Sequence, residues 1–158
     1  MNSRWFRSLI SAFIFLCISA AESRAQTIST VIGAGSQGSS GDGGSPTAAL
    51  LNRPSTVWSD TSGTLFIADT GNNRIRRVNA ARDSILTFAG TGSAGFSGDG
   101  AYAISTALNA PAGVFVDSTG VVYIADTGNH RIRSIDGSGI IRTIAGKDTT
   151  AGLFIDDT

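Results

Sequence analysis

Ile67-Ala68-Asp69-Thr70-Gly71-Asn72-Asn73-Arg74-Ile75-Arg76 returns 57 residues later as Ile124-Ala125-Asp126-Thr127-Gly128-Asn129-His130-Arg131-Ile132-Arg133, with Asn73 to His130 the single change. The same step carries Ser40-Gly41-Asp42-Gly43 onto Ser97-Gly98-Asp99-Gly100, and Val31-Ile32-Gly33 onto Phe88-Ala89-Gly90. A whole structural unit is repeated, not one motif. A fixed period of this length marks a propeller or a solenoid rather than a conventional enzyme domain.

Within one period the strand signals are short. The second copy reads Gly113 to Asp117, Val121 to Asp126, Arg131 to Ile135 and Ile140 to Ala145, separated by Ser118-Thr119-Gly120, Thr127-Gly128-Asn129-His130 and Asp136-Gly137-Ser138-Gly139. Short apolar runs joined by Gly, Asn, Asp and Ser turns form an antiparallel meander. The first copy predicts the same four strands at Thr56 to Asp60, Thr64 to Asp69, Arg74 to Val78 and Ser84 to Ala89. Val121-Val122-Tyr123-Ile124 is apolar on both sides of the pleat, so both faces of each sheet need cover. Stacked four-stranded meanders supply it, which makes the chain all-β and of propeller type. Pro46 to Asn52, mirrored by Ala103 to Asn109, is expected to form one helical turn within the connecting loop.

The N-terminus reads differently. Arg4 and Arg7 precede an apolar run from Leu9 to Ala21, and Ser23-Arg24-Ala25 offers small residues at the two positions that a signal peptidase inspects. The run is too short to span a bilayer core of roughly 30 Å. Residues 1 to 25 are therefore expected to be a cleaved secretory signal, leaving a mature chain without a membrane span, outside the cell or in the periplasm. Twelve basic and twelve acidic residues balance in the full chain. Loss of Arg4, Arg7, Arg24 and Glu22 leaves nine against eleven, a formal charge of −2. That balance argues against a nucleic-acid partner. Cys17, the only cysteine, leaves with the signal, so the mature chain holds no disulfide.

With Pro54 and Pro111 opening the first strand of each copy and Gly-Asp-Gly ahead of them, Asp69 to Ile75 and Asp126 to Ile132 resemble NHL repeats of the long form found in bacterial exported proteins and teneurins. The resemblance covers about residues 26 to 146, as units 27–89 and 90–146. It implies a six-bladed propeller, of which this sequence carries about two blades. Thr27 to Ile32 is expected to be the outer strand of a preceding blade. Residues 147 to 158 begin a further connecting loop, so the sequence reads as the N-terminal third of a larger propeller.

The candidate site residues lie in the turns. Asp69 with Arg74, and Asp126 with Arg131, face each other across four-residue turns and are read as structural hairpin pairs, together with Asn72 and Asn129. Opposite charges directly across strands contribute about 0.2 to 1 kcal/mol. Asn73 and His130 occupy equivalent loop positions and are candidate binding-loop residues, with a turn role the plainer reading. Asp42 and Asp99 stand among glycines without the D-x-D-x-D-G spacing of a calcium loop, so turn capping is preferred to ligation. Trp58 and Phe115 occupy one inner-strand position and are expected in the core. Gly33-Ala34-Gly35-Ser36-Gln37-Gly38 and Gly90-Thr91-Gly92-Ser93-Ala94-Gly95 fit G-x-G-x-x-G on paper. More glycine and serine follow instead of a long helix, so a dinucleotide site is rejected.

No nucleophile meets a base in this pattern. The expected role is a non-enzymatic module binding an unidentified protein or glycan, with no cofactor, no metal and no catalytic residue. The alternative is part of a propeller enzyme, resembling gluconolactonase-like hydrolases or the peptide-amidating lyase, with its catalytic residues in other blades. The mature sequence has no Glu and one His, which weighs against that alternative. Exposed sheet faces are expected to make this chain associate with itself.

Overall fold

The computed structural model describes residues 27–146. Eight strands form two four-stranded antiparallel sheets in sequence order. The first holds β1 (Pro54–Ser59), β2 (Leu65–Asp69), β3 (Arg74–Val78) and β4 (Ile85–Ala89), and the second β5 (Gly113–Val116), β6 (Val122–Asp126), β7 (Arg131–Ile135) and β8 (Ile141–Ala145). Both are propeller blades, and the predicted strands match these bounds within one or two residues at each end.

Turn chemistry sets the strand ends. Asp117 Oδ1 accepts the amides of Thr119 and Val121 at 2.8 and 3.0 Å, and Gly120 takes the positive φ of 87° that closes the turn. Asp60 repeats this with Ser62 and Thr64, both at 2.9 Å. Thr70–Asn72 and Thr127–Asn129 form 3-10 turns, each ended by a left-handed residue, Asn73 at φ 53° and His130 at φ 56°. Asparagine and histidine tolerate that conformation better than most residues, which explains the one substitution within the repeated string.

Each connecting loop leans on the blade that follows it. Ile85 of β4 exchanges hydrogen bonds with the Gly43-Gly44 segment, and Ile141 of β8 does so with Gly100 and Ala101. Single 3-10 turns at Pro46–Ala48 and Ala103–Ser105 fall within the two segments expected to be helical. Ala49 of the first loop is buried against Leu65, Ile67, Val78 and Ile85. Ala103 and Leu108 of the second are buried between the blades, with Phe66 and Ile75 on one side and Val114 and Ile124 on the other. The main core is thus the junction between blades.

Thr27 to Ile32 forms no strand, contrary to expectation. A strand needs a hydrogen-bonding neighbour, and none lies beside this segment among the described residues. The expected leader, residues 1 to 25, and the segment after Gly146 lie outside the described residues. No helix among the described residues is long and apolar enough to cross a membrane.

Candidate functional site

The repeated string builds one buried polar knot per blade. Asp69 is fully buried at the end of β2. Its Oδ1 accepts the Asn52 amide at 2.7 Å and its Oδ2 accepts Asn72 Nδ2 at 2.8 Å. Asp126 repeats this with the Asn109 amide and Asn129 Nδ2, each at 2.8 Å. Asn72 and Asn129 also donate to the carbonyls of Gly38 and Gly95, at 2.6 and 2.7 Å, and so tie each hairpin to the loop before it.

The arginine that serves each aspartate is not the expected one. Asp69 and Arg74 do face each other in the ladder, as do Asp126 and Arg131. Their side chains nevertheless part: Arg74 Nη2 donates to the Thr91 carbonyl at 3.0 Å, and Arg131 donates to the Asn129 carbonyl at 3.0 Å with its guanidinium 3.9 Å from the Phe96 ring centre. Arg76 and Arg133, two residues further along the same face, are fully buried and pair with the aspartates at 3.6 and 3.4 Å. Alternate strand residues share a face, so these arginines reach the carboxylate diagonally while keeping out of water. The signal was present in the sequence, because both arginines belong to the repeated string.

Asp42 and Asp99 are engaged by the same arginines, Asp42 with Arg76 Nη2 at 2.6 Å and Asp99 with Arg133 Nη2 at 2.9 Å. Burial works against ionisation of Asp99, but the Thr143 amide and hydroxyl and the Arg133 guanidinium outweigh it and hold its carboxyl below the usual carboxylate range. Each aspartate therefore fastens its loop to its blade.

Asn73 spans the blade junction, its Oδ1 accepting the Ala110 amide at 2.9 Å and its Nδ2 donating to the Gly92 carbonyl at 3.2 Å. Beside it Thr70 donates to the Pro111 carbonyl at 2.7 Å, and Ser55 and Thr56 donate to that of Ala112 at 2.8 and 2.7 Å. His130, its counterpart, is exposed. Among the described residues no group of three or more His, Cys, Asp or Glu is placed to hold a metal ion.

Trp58 and Phe115 are surface residues rather than core. They are 37% and 44% exposed, with ring centres 4.6 Å apart. Phe115 stands 6.1 Å from Tyr123. β1 and β5 are the first strands of their blades and lie beside each other. The sheet faces that meet at the junction are covered, whereas the edge formed by these two strands is open. An aromatic residue at the same place in each blade thus gives an accessible row crossing the junction.

The model of the teneurin NHL domain family matches residues 89–153. NHL repeat-containing protein 2 of Gallus gallus is 33% identical over 96 residues, 60% of this chain and 13% of that protein. Over these stretches the chain is similar to NHL repeats. Protein SUPPRESSOR OF QUENCHING 1, chloroplastic, of Arabidopsis thaliana is 36% identical over 87 residues, 55% of this chain and 8% of the relative. Human teneurin-1 is 36% identical over 86 residues, 47% of this chain and 3% of its own length. The chain spans 13% or less of each of these relatives.

Proposed function

We propose that this chain is an exported, non-catalytic NHL interaction module that binds an extended partner, a protein segment or a glycan chain, along its Trp58–Phe115 edge. The exposure of these two stacked rings carries the reading. Trp58 stays 37% exposed although a second blade already packs against its own, so the ring is available in the assembled stack. Tryptophan and other aromatic residues combine large apolar area with few rotatable bonds, which makes them frequent anchors of binding surfaces. Flat rings also stack on sugar rings and on apolar side chains. Export rests on residues 1 to 25, whose charged start, apolar centre and Ser23-Arg24-Ala25 make a secretory leader.

Titration of the purified chain with oligosaccharides and with extended peptides, followed by isothermal titration calorimetry, tests this reading. A saturable change from at least one of the two ligand classes is expected, lost in a Trp58→Ala, Phe115→Ala double variant that keeps its circular dichroism. Binding that survives the double variant would place the site elsewhere. Turnover of a lactone or an amidated peptide precursor by the purified chain would favour the enzyme reading instead.

A further inference from the structure

The two blades differ in what covers them, and the difference falls on equivalent residues. On the trailing face of blade one Ile75 and Ala89 are fully buried against the second unit, whereas their counterparts on blade two, Ile132 and Ala145, are exposed. On the leading side the asymmetry reverses. Val114 is 5% exposed where it meets blade one, and its counterpart Val57 is 60% exposed. Pro111 is buried beneath the Thr70–Arg74 hairpin, and its counterpart Pro54 is exposed.

An open groove of about 640 Å³ runs beside Pro54, lined also by Gly33, Gly35 and Leu51. Its counterpart in the second unit is filled. A Cβ on Gly92 would come within 2.7 Å of the Arg74 guanidinium, while one on the equivalent Gly35 would meet nothing within 4 Å. The groove has the form that receives an Asp-Thr-Gly-Asn-(Asn/His)-Arg hairpin, and the chain carries such a hairpin on its opposite side, at Asp126 to Arg131.

We propose that copies of this chain associate head to tail, the trailing face of blade two in one copy seating on the leading face and groove of blade one in the next. The contacts repeat those already made within the chain. Thr127 stands where Thr70 does and faces the Pro54 carbonyl of the receiving copy, and His130 takes the place of Asn73 opposite the Arg53 amide. Ile132 and Tyr123 meet Val57 and Leu51 as Ile75 and Phe66 meet Val114 and Leu108. Ala112 and Gly113 stand in for Ser55 and Thr56, so the two hydroxyl bonds to the Ala112 carbonyl are not reproduced and the contact between copies is weaker than the one within the chain. The end of β8 in the docking copy takes the place held in the receiving copy by its own Thr27–Gly33. Of these, Thr27 to Val31 are exposed and have no ladder, while Ile32 packs half-buried on the Ala49–Leu65 cluster and Gly33 donates to the Pro46 carbonyl at 2.9 Å, so their displacement weakens the contact further. The interface is heterologous, because a different patch is used on each side. The aromatic edge keeps its access, since Trp58 remains exposed in the equivalent internal contact.

Sedimentation equilibrium on the purified chain at about 0.1 mM, a concentration set for a contact of modest strength, tests the proposal with two surface variants. Val57→Lys blocks the leading face and Ile132→Lys the trailing face, and each residue is exposed, so both variants should keep the wild-type circular dichroism. The wild type is expected to exceed the monomer mass, with each variant alone monomeric. Their equimolar mixture should return to twice the monomer mass and grow no further. A monomeric wild type overturns the proposal. So does a dimer that persists in either single variant, which indicates a symmetric contact, or a mixture that stays monomeric.

Discussion

Replacing Arg133 should cost several times what replacing Arg131 costs, although Arg131 is the residue directly opposite Asp126. Asp126 and Arg133 are both fully buried and 3.4 Å apart. At an effective dielectric of about 20, two unit charges at that distance attract by about 5 kcal/mol. Desolvation offsets much of this in the intact pair, but removing one partner leaves the other charge buried, at a cost of about 3 to 5 kcal/mol. Arg131 is half-buried and holds one carbonyl bond and the Phe96 ring, which together amount to about 1 kcal/mol. Urea unfolding of Arg133→Ala and Arg131→Ala, read by circular dichroism, gives the two costs. A double-mutant cycle with Asp126→Ala should show strong coupling to Arg133 and little to Arg131. Equal costs, or stronger coupling of Asp126 to Arg131, would refute the diagonal pairing.

Three further outcomes follow from the turns and loops. Gly90→Ala should destabilise by about 2 kcal/mol or more, because φ is 93° and the new Cβ would collide with the Asn73 carbonyl oxygen. Gly137→Ala, with nothing within 4 Å of its Cβ, should stay within about 0.5 kcal/mol of wild type when thermal melts of the two variants are compared. Asn129→Ala should lose about 1 to 3 kcal/mol by chemical denaturation, since it removes the bonds to Asp126 and the Gly95 carbonyl. The Thr119 hydroxyl holds the Asp117 carboxyl, and the Arg142 guanidinium the Asp136 carboxyl, below the ordinary value of 3.8. A depressed folded value gives stability that is present above the unfolded value and lost as pH falls through the folded one. The urea midpoint should therefore be level from about pH 7 to pH 5 and fall below 3.8, and a fall that began near pH 6 would refute the assignment to these two aspartates.

What the sequence discloses here divides along physical lines. The period, the eight strands and the facing of Asp69 with Arg74 are local properties, set by alternation and by turns such as Asp117 to Gly120. The partner of Asp69 is not local. Arg74 and Arg76 share a face, and only the packing of the preceding loop, which brings Asp42 to Arg76, decides which guanidinium is fully buried. Thr27 to Ile32 has strand composition, but a strand exists only beside another. Trp58 and Phe115 were legible as a repeated aromatic position, whereas their exposure depends on lying in the first strand of each blade. Asp42 and Asp99 gave no hint that they reach across 34 residues to an arginine.

Most side chains that bind one repeat to the next address main-chain oxygens: Thr70 that of Pro111, Asn73 that of Gly92, Arg74 that of Thr91. A carbonyl is the same group whatever residue carries it. The receiving loop is thus recognised by its path and not by its composition, which leaves its outward side chains open to drift or selection without loosening the stack. Duplication of such a unit makes a compatible neighbour at once, and specialisation of its surface can come later.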